Sequence, residues 1–190
     1  MTPRTKFLLL VALFVLPTIA SFVAYNFFPP SKTTNYGALV IPAVVLPEVP
    51  LVRLDAGKEP IPPGLRGKWL MVTRDSGSCE AACRKKLYAM RQARLILGRE
   101  QNRVLRIVLV DDDVSPSAAL QEAYEGMIWV SAKSRAWLAV LPAAPDDASG
   151  RDSIYAVDTL GNIFMRYGAD PDIKKFSDDM QRVLKASQIG

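Results

Sequence analysis

Histidine is absent from this 190-residue chain, and cysteine occurs only twice, as Cys79 and Cys83. Without histidine there is no ordinary general base for hydrolysis, and a Ser/His/Asp triad is excluded. Zinc is disfavoured too, because it wants four ligands and two thiols do not provide them. No lipobox cysteine is present, so lipid attachment is not expected. The net charge of +5 is modest, and neither a nucleic-acid module nor aromatics interleaved with basic residues occur, so nucleic acid is not an expected partner.

Charge is missing altogether from Phe7 to Phe28, a run of 22 residues. That is long enough to cross an apolar layer of about 30 Å, and Pro17 is expected to kink such a helix without breaking it. Arg4 and Lys6 precede the run and Lys32 is the only charge soon after it. This asymmetry predicts a single-pass anchor in a bacterial-type inner (plasma) membrane, with the N-terminus cytoplasmic and the C-terminal domain periplasmic. A cleaved signal peptide is the rival reading. Thr18-Ile19-Ala20 matches a cleavage region only loosely and the apolar run continues past it, so an uncleaved anchor is expected. In that oxidising compartment a pair of cysteines forms a disulfide unless something reduces it or a metal holds it.

Residues 29–66 hold eight of the 14 prolines, Pro29, Pro30, Pro42, Pro47, Pro50, Pro60, Pro62 and Pro63. That density predicts an extended tether, whose apolar runs Ala38 to Val45 and Val49 to Val52 can lie along the domain as an irregular strand or hairpin. The remaining residues, 67–190, suffice for one core.

The centre of that domain is the stretch from Lys68 to Glu100. A strand at Trp69 to Val72 meets a Ser-Gly-Ser turn, which opens onto a helix with Ser78 as expected N-cap and with Cys83, Leu87, Met90 and Leu97 on one face. Cys79 and Cys83 then share a helical face, about 6 Å apart at Cα, close enough to join as a disulfide. The helix N-terminus favours a thiolate at Cys79, and Arg84, Lys85 and Lys86 can add to the positive field. A static disulfide, a redox pair and a metal-binding pair all fit these residues. The basic residues Arg84, Lys85, Arg91, Arg94 and Arg99 read as a solvated face, or as one meeting an acidic partner or anionic headgroups.

Downstream, Arg103 to Val110 reads as a buried strand ending in Asp111-Asp112-Asp113, which an open α/β sheet places near the cysteine turn. Ser115-Pro116 predicts a helix start, Met127 to Val130 a strand or helix end, and Ala136 to Leu141 a strand. Ser153 to Asp158 and Ile163 to Tyr167 make a hairpin around Thr-Leu-Gly-Asn. A last helix follows Asp170-Pro171, with Ile173, Phe176, Met180, Val183 and Leu184 facing inward. This order predicts an α/β, thioredoxin-like sandwich preceded by one transmembrane helix.

The anchor, the strand leading into Cys79-Glu-Ala-Ala-Cys83, the Asp111 to Pro116 segment and the Tyr155-Ala-Val-Asp158 to Gly161 hairpin together resemble the SCO/SenC family. The resemblance implies a membrane-anchored thioredoxin fold that binds copper through a CxxxC pair and a distant histidine and serves assembly of the copper centre of cytochrome c oxidase. It implies that Cys79 and Cys83 are the copper-binding and redox pair, and that Asp111 matches the aspartate after the strand. The chain departs from the family in three places. Glu80 and Arg84 stand where prolines follow the cysteines, and Gly150 holds the histidine position. Two thiolates alone can hold Cu(I), a soft ion, and a thioether from Met71, Met90, Met127 or Met165 can add a third donor, although each of these also reads as core packing. The expected roles are therefore Cu(I) carrier, or thiol reductant with Cys79 attacking and Cys83 resolving, in cytochrome c oxidase assembly. The alternatives are a general extracytoplasmic thiol-disulfide oxidoreductase and a scaffold with a structural disulfide. The expected partner is a cytochrome c oxidase subunit or another thiol-containing protein.

Overall fold

The computed structural model describes residues 2–27, 34–55, 61, 66–132, 136–145, 147 and 149–187. The chain forms two compact units, Met1–Thr34 and Asn35–Gly190. The first is a single helix, α1 (Pro3–Phe27), which runs through Pro17 and buries none of its side chains. It is long and apolar enough to cross a membrane. Phe28 and the prolines Pro29, Pro30, Pro60, Pro62 and Pro63 lie outside the described residues.

The second unit is one seven-stranded mixed sheet. Its strands are β1 (Ala38–Val45), β2 (Val52–Arg53), β3 (Trp69–Asp75), β4 (Val104–Val110), β5 (Met127–Ser131), β6 (Ser153–Val157) and β7 (Asn162–Gly168), and their order across the sheet is β1-β7-β6-β3-β4-β5-β2. The three central strands β3, β4 and β5 run parallel, and their near-continuous apolar sequences fit strands covered on both faces. The helices are α2 (Ala81–Ile96), α3 (Ala118–Ala123), α4 (Ala136–Val140) and α5 (Ile173–Ala186).

Alternation along β3 sorts the core into two layers. Trp69 and Met71 pack with Leu87, Met90, Phe176, Met180 and Leu184 of α2 and α5. Leu70 and Val72 face the other way, against Leu46, Tyr155 and Trp137 of α4. The expected thioredoxin-like α/β sandwich is therefore what forms. The predicted hairpin forms as β6 and β7, paired antiparallel, with Leu160 and Asn162 amides closing the turn on the Asp158 carboxylate.

Several local expectations are corrected. Ala136–Val140 is a helix, with Trp137 fully buried, because the segment covers the sheet by one helical face instead of pairing at an edge. Of the two alternatives expected for Met127 to Val130, strand is the one that forms, as Met127–Ser131. Helix α3 starts at Ala118 and not at Pro116, since the Ser117 hydroxyl, and not that of Ser115, accepts the Leu120 amide. The two apolar runs of the proline-rich segment end up on opposite edges of the sheet. Ala38–Val45 pairs with β7, with a register irregularity around Pro42, and Val52–Arg53 pairs with β5. Proline lacks the N–H a ladder needs, so an edge is where such strands fit.

Phe176 is fully buried on the Tyr167 ring, with centroids 4.2 Å apart. Phe176→Ala should lower stability by about 3–5 kcal/mol, read as a lower urea midpoint. A loss under about 1 kcal/mol would show that α5 is not a wall of the core.

Candidate functional site

The cysteine turn sits at the carboxyl end of β3, where parallel sheets place their sites. The Cys79 amide donates to the Ser76 carbonyl, 3.1 Å away, and closes the turn. Gly77 packs on the segment after β4 so tightly that a Cβ there would lie 1.7 Å from the Val114 carbonyl oxygen. Cys79 has φ +45°, alone among the described non-glycine residues in the left-handed region. Helix α2 begins later than expected. Glu80, not Ser78, is the N-cap, and it makes no side-chain cap bond; the Ser78 hydroxyl is turned to that of Ser76, 2.8 Å away.

Cys79 thus precedes the helix while Cys83 lies in its first turn, and a disulfide joins them with the Cα atoms 5.0 Å apart. Both are buried, at 0% and 1% exposure. A polar cleft of about 300 Å³ reaches the pair from the Cys83 side, between Ser76, Ser78 and Glu80 on one bank and Arg151 and Asp152 on the other. Asp75 lines it as well.

Behind the cleft is a charged network, of which Asp75, Arg74 and Arg151 were not assigned to the site from the sequence. The Lys86 ammonium, expected to add to the positive field at Cys79, is fully buried. It meets the Asp75 carboxylate at 2.7 Å and donates to the carbonyls of Arg74, at 2.9 Å, and Arg151. Its spacing was the available signal, since position 86 falls on the inward face three residues after Cys83. Arg74 and Arg151 both clasp the Asp111 carboxylate, at 2.6 and 2.5 Å. Burial pushes the Asp111 carboxyl up, but the hydrogen bonds from Arg151 and Arg74 outweigh it and hold the group below its ordinary value of 3.8. Asp112 accepts the amides of Gly77, at 3.1 Å, and Val114, at 3.2 Å. Burial raises this carboxyl too, and the Ser76 hydroxyl together with those two amides brings it below 3.8. The aspartates after β4 therefore stand beside the cysteine turn, as expected, and brace it.

The position expected to carry the family's histidine is Gly150, with φ +66°. A Cβ built there would be 2.9 Å from a terminal nitrogen of Arg74, so a cationic guanidinium fills that space. The four candidate methionines, Met71, Met90, Met127 and Met165, are all buried in the same apolar layer as the two cysteines, and the Met165 sulfur accepts the Tyr167 hydroxyl at 2.8 Å. Among the described residues no group of three His, Cys, Asp or Glu side chains is arranged to hold a metal. Cys79 and Cys83, joined in a disulfide, and a glycine at position 150 do not make up a three-ligand copper site.

Residues 69–187 match the family described as "Transmembrane-like, thioredoxin-like, C-terminal domain". The chain belongs to that family. No curated protein matches it. Among solved structures the chain is similar to yeast Sco1 with copper bound, at 15% identity, TM-score 0.56, covering 83% of this chain and 96% of that one. It is also similar to Arabidopsis thaliana ScoI with copper bound, at 15% identity, TM-score 0.54, covering 80% and 99%. A third is BsSco, a member of the Sco family of cytochrome c oxidase assembly proteins in which a disulfide switch was identified, at 16% identity, TM-score 0.57, covering 81% and 95%. The likeness to SCO/SenC proteins is thus present in the fold, in a chain that diverges at Gly150.

Gly77→Ala should cost about 2 kcal/mol or more in urea unfolding, because backbone and not a flexible side chain opposes the new methyl. A neutral result would show that the turn does not rest on the Val114 segment. A second expectation concerns acid. Carboxyl groups with depressed pKa values stabilise the fold fully above their ordinary 3.8 and lose that contribution as pH falls through the depressed values. Reduction of the disulfide by a phosphine, corrected for the reagent's own protonation, should therefore accelerate as pH falls below 3.8 in the parent chain. An equal acceleration in the Asp111→Asn and Asp112→Asn double variant would assign it to other groups.

Proposed function

We propose that this protein is a membrane-anchored, Sco-like factor in assembly of the cytochrome c oxidase copper centre, acting as a thiol reductant on a cysteine-bearing partner. The observation that carries the reading is the Cys79–Cys83 disulfide at the strand-to-helix turn, beside an open polar cleft and, among the described residues, with no group of three His, Cys, Asp or Glu side chains around it. The likeness to Sco structures supports the setting, and α1 supports the anchoring.

The chemistry is a two-electron exchange. In the reduced protein one thiolate attacks a sulfur of the partner's disulfide, forming a mixed disulfide and releasing one partner thiolate. The second thiolate then attacks the protein's own sulfur in that bond, releasing the other partner thiolate and leaving Cys79 and Cys83 oxidised. A dithiol reductant in the same compartment returns the pair to the reduced state. The cleft reaches Cys83, so Cys83 is the sulfur that bonds the partner and Cys79 the one that resolves it. This reverses the order expected from the sequence, in which the helix terminus favoured Cys79. The first turn of α2 stabilises whichever thiolate is free.

Cu(I) carriage is the second reading, favoured by the copper-bound neighbours. It would rest on the two thiolates alone, with the Arg74 guanidinium where the histidine would stand.

Both readings are tested with the reduced full-length chain in detergent. Offered the oxidised apoprotein of the oxidase copper subunit, it should reduce one disulfide per chain, and Cys79→Ser, which leaves Cys83 free, should accumulate the mixed disulfide. Cys83→Ser should trap at least tenfold less. Against a competing Cu(I) chelator the parent should retain no more metal than Cys83→Ser. Stoichiometric Cu(I) retention without disulfide reduction would replace the reductant with the carrier, and a bond that no dithiol opens would leave a scaffold.

A further inference from the structure

The outer face of α2 is a feature that the cysteine chemistry leaves unused. Over α2 and the start of the 3-10 turn that follows it (Gly98–Arg103), from Ala81 to Arg99, the chain carries six basic residues and no acidic one. Lys86 is buried, and Arg94 is half-buried with its Nε on the Val104 carbonyl. Arg84, Lys85, Arg91 and Arg99 are exposed, and among them stand Tyr88, Leu95 and Ile96, each about half exposed. Tyr88 and Leu95 are seven residues apart and lie along one line of the helix, with Arg84 and Arg91 on one side of it and Lys85 and Ile96 on the other. Arg84 donates its Nε to the Cys79 carbonyl and Arg91 one terminal nitrogen to the Ala123 carbonyl, each at 3.1 Å, which leaves both guanidinium groups further N–H donors. Two nearby acids do little to neutralise this face. Glu100 pairs with Arg103 at 2.6 Å, and Asp170 meets Lys85 at 3.3 Å in an ion pair exposed on both sides, which is worth little.

We propose that this face of α2 docks on the surface of an anionic phospholipid bilayer. Tyr88, Leu95 and Ile96 enter the headgroup boundary, while Arg84, Lys85, Arg91 and Arg99 reach the phosphates. A basic helix face with an aromatic and aliphatic centre is the pattern of helices that lie in the interface, and anionic lipid attracts each nearby Lys or Arg. A chain anchored by an apolar helix meets that surface at high effective concentration, so contacts too weak for a free protein suffice. An acidic protein would satisfy the cations but not the three apolar side chains between them, which the acyl boundary does satisfy. Docking holds the start of α2, and with it the cysteine turn, near the bilayer surface. It does not depend on whether the cysteines exchange disulfides or carry Cu(I).

The test uses the full chain carrying Tyr88→Trp, reconstituted into vesicles with brominated acyl chains. The vesicles are phosphatidylcholine alone, or phosphatidylcholine with about a third phosphatidylglycerol. The parent chain, with Trp69, Trp129 and Trp137 buried, gives the baseline. Emission from the introduced indole should be quenched about twofold more in the anionic vesicles than in the neutral ones, and salt at about 0.5 M should remove the difference. Adding Arg91→Glu and Arg99→Glu should abolish it as well. If that variant does not fold, the salt titration of the single variant decides alone. Equal quenching in both lipids, or none in either, overturns the proposal. So does an indole that is unquenched in anionic vesicles but shifts to the blue when polyglutamate is added, which would assign the face to an acidic protein.

Discussion

The Lys86 ammonium is buried among apolar side chains, and its three protons meet the Asp75 carboxylate and the carbonyls of Arg74 and Arg151. Burying a charge is costly unless it is paired and hydrogen-bonded, and here every proton has an acceptor, so only one arrangement of the surrounding chain satisfies the group. Those acceptors come from the end of β3 and from the loop before β6, while Lys86 itself comes from α2. Three separate segments are thereby fixed to one point. Cys83 sits one turn before Lys86 on the same face, so the position of the disulfide follows from the position of the ammonium.

A second charged cluster fixes the other bank of the cleft. Asp111, at the end of β4, is clasped by Arg74 and Arg151, and Asp112 holds the amides of Gly77 and Val114. Charge-assisted bonds thus tie the loops at the carboxyl end of the parallel strands to one another and to the turn that carries Cys79.

How much of this was legible depends on the range of the interaction. The inward face of α2, the β6–β7 hairpin and α5 were readable because periodicity and turn chemistry act within a few residues. The neighbourhood of the aspartates and the cysteine turn followed from a topological rule of parallel sheets. Ala136–Val140 misled because five apolar residues in a row carry no period, and only the sheet face waiting for Trp137 decides between strand and helix. Ser78 and Ser115 looked like N-caps, yet in each case the chain starts its helix later, because the tight turn at Gly77 and the cap at Ser117 take precedence. Lys86 carried a signal that was passed over. A lysine on an apolar helical face needs a buried acid, and Asp75, at the end of the preceding strand, was the nearest candidate in sequence.

Frame and site depend on different things, so a fold shared with copper-bound Sco structures does not by itself carry a shared donor set. The frame depends on two apolar layers and a strand order, which many sequences satisfy. The site depends on single atoms. With glycine at position 150 there is no side chain to coordinate a metal, and the Arg74 guanidinium can approach that backbone as no Cβ would allow. Arg74 in turn is held by Asp111, and Asp111 by Arg151, whose carbonyl accepts from Lys86. A side chain at position 150 would therefore have to displace the end of the Arg74 side chain, which Asp111 holds, so the space there is set by the charge network as well as by the glycine.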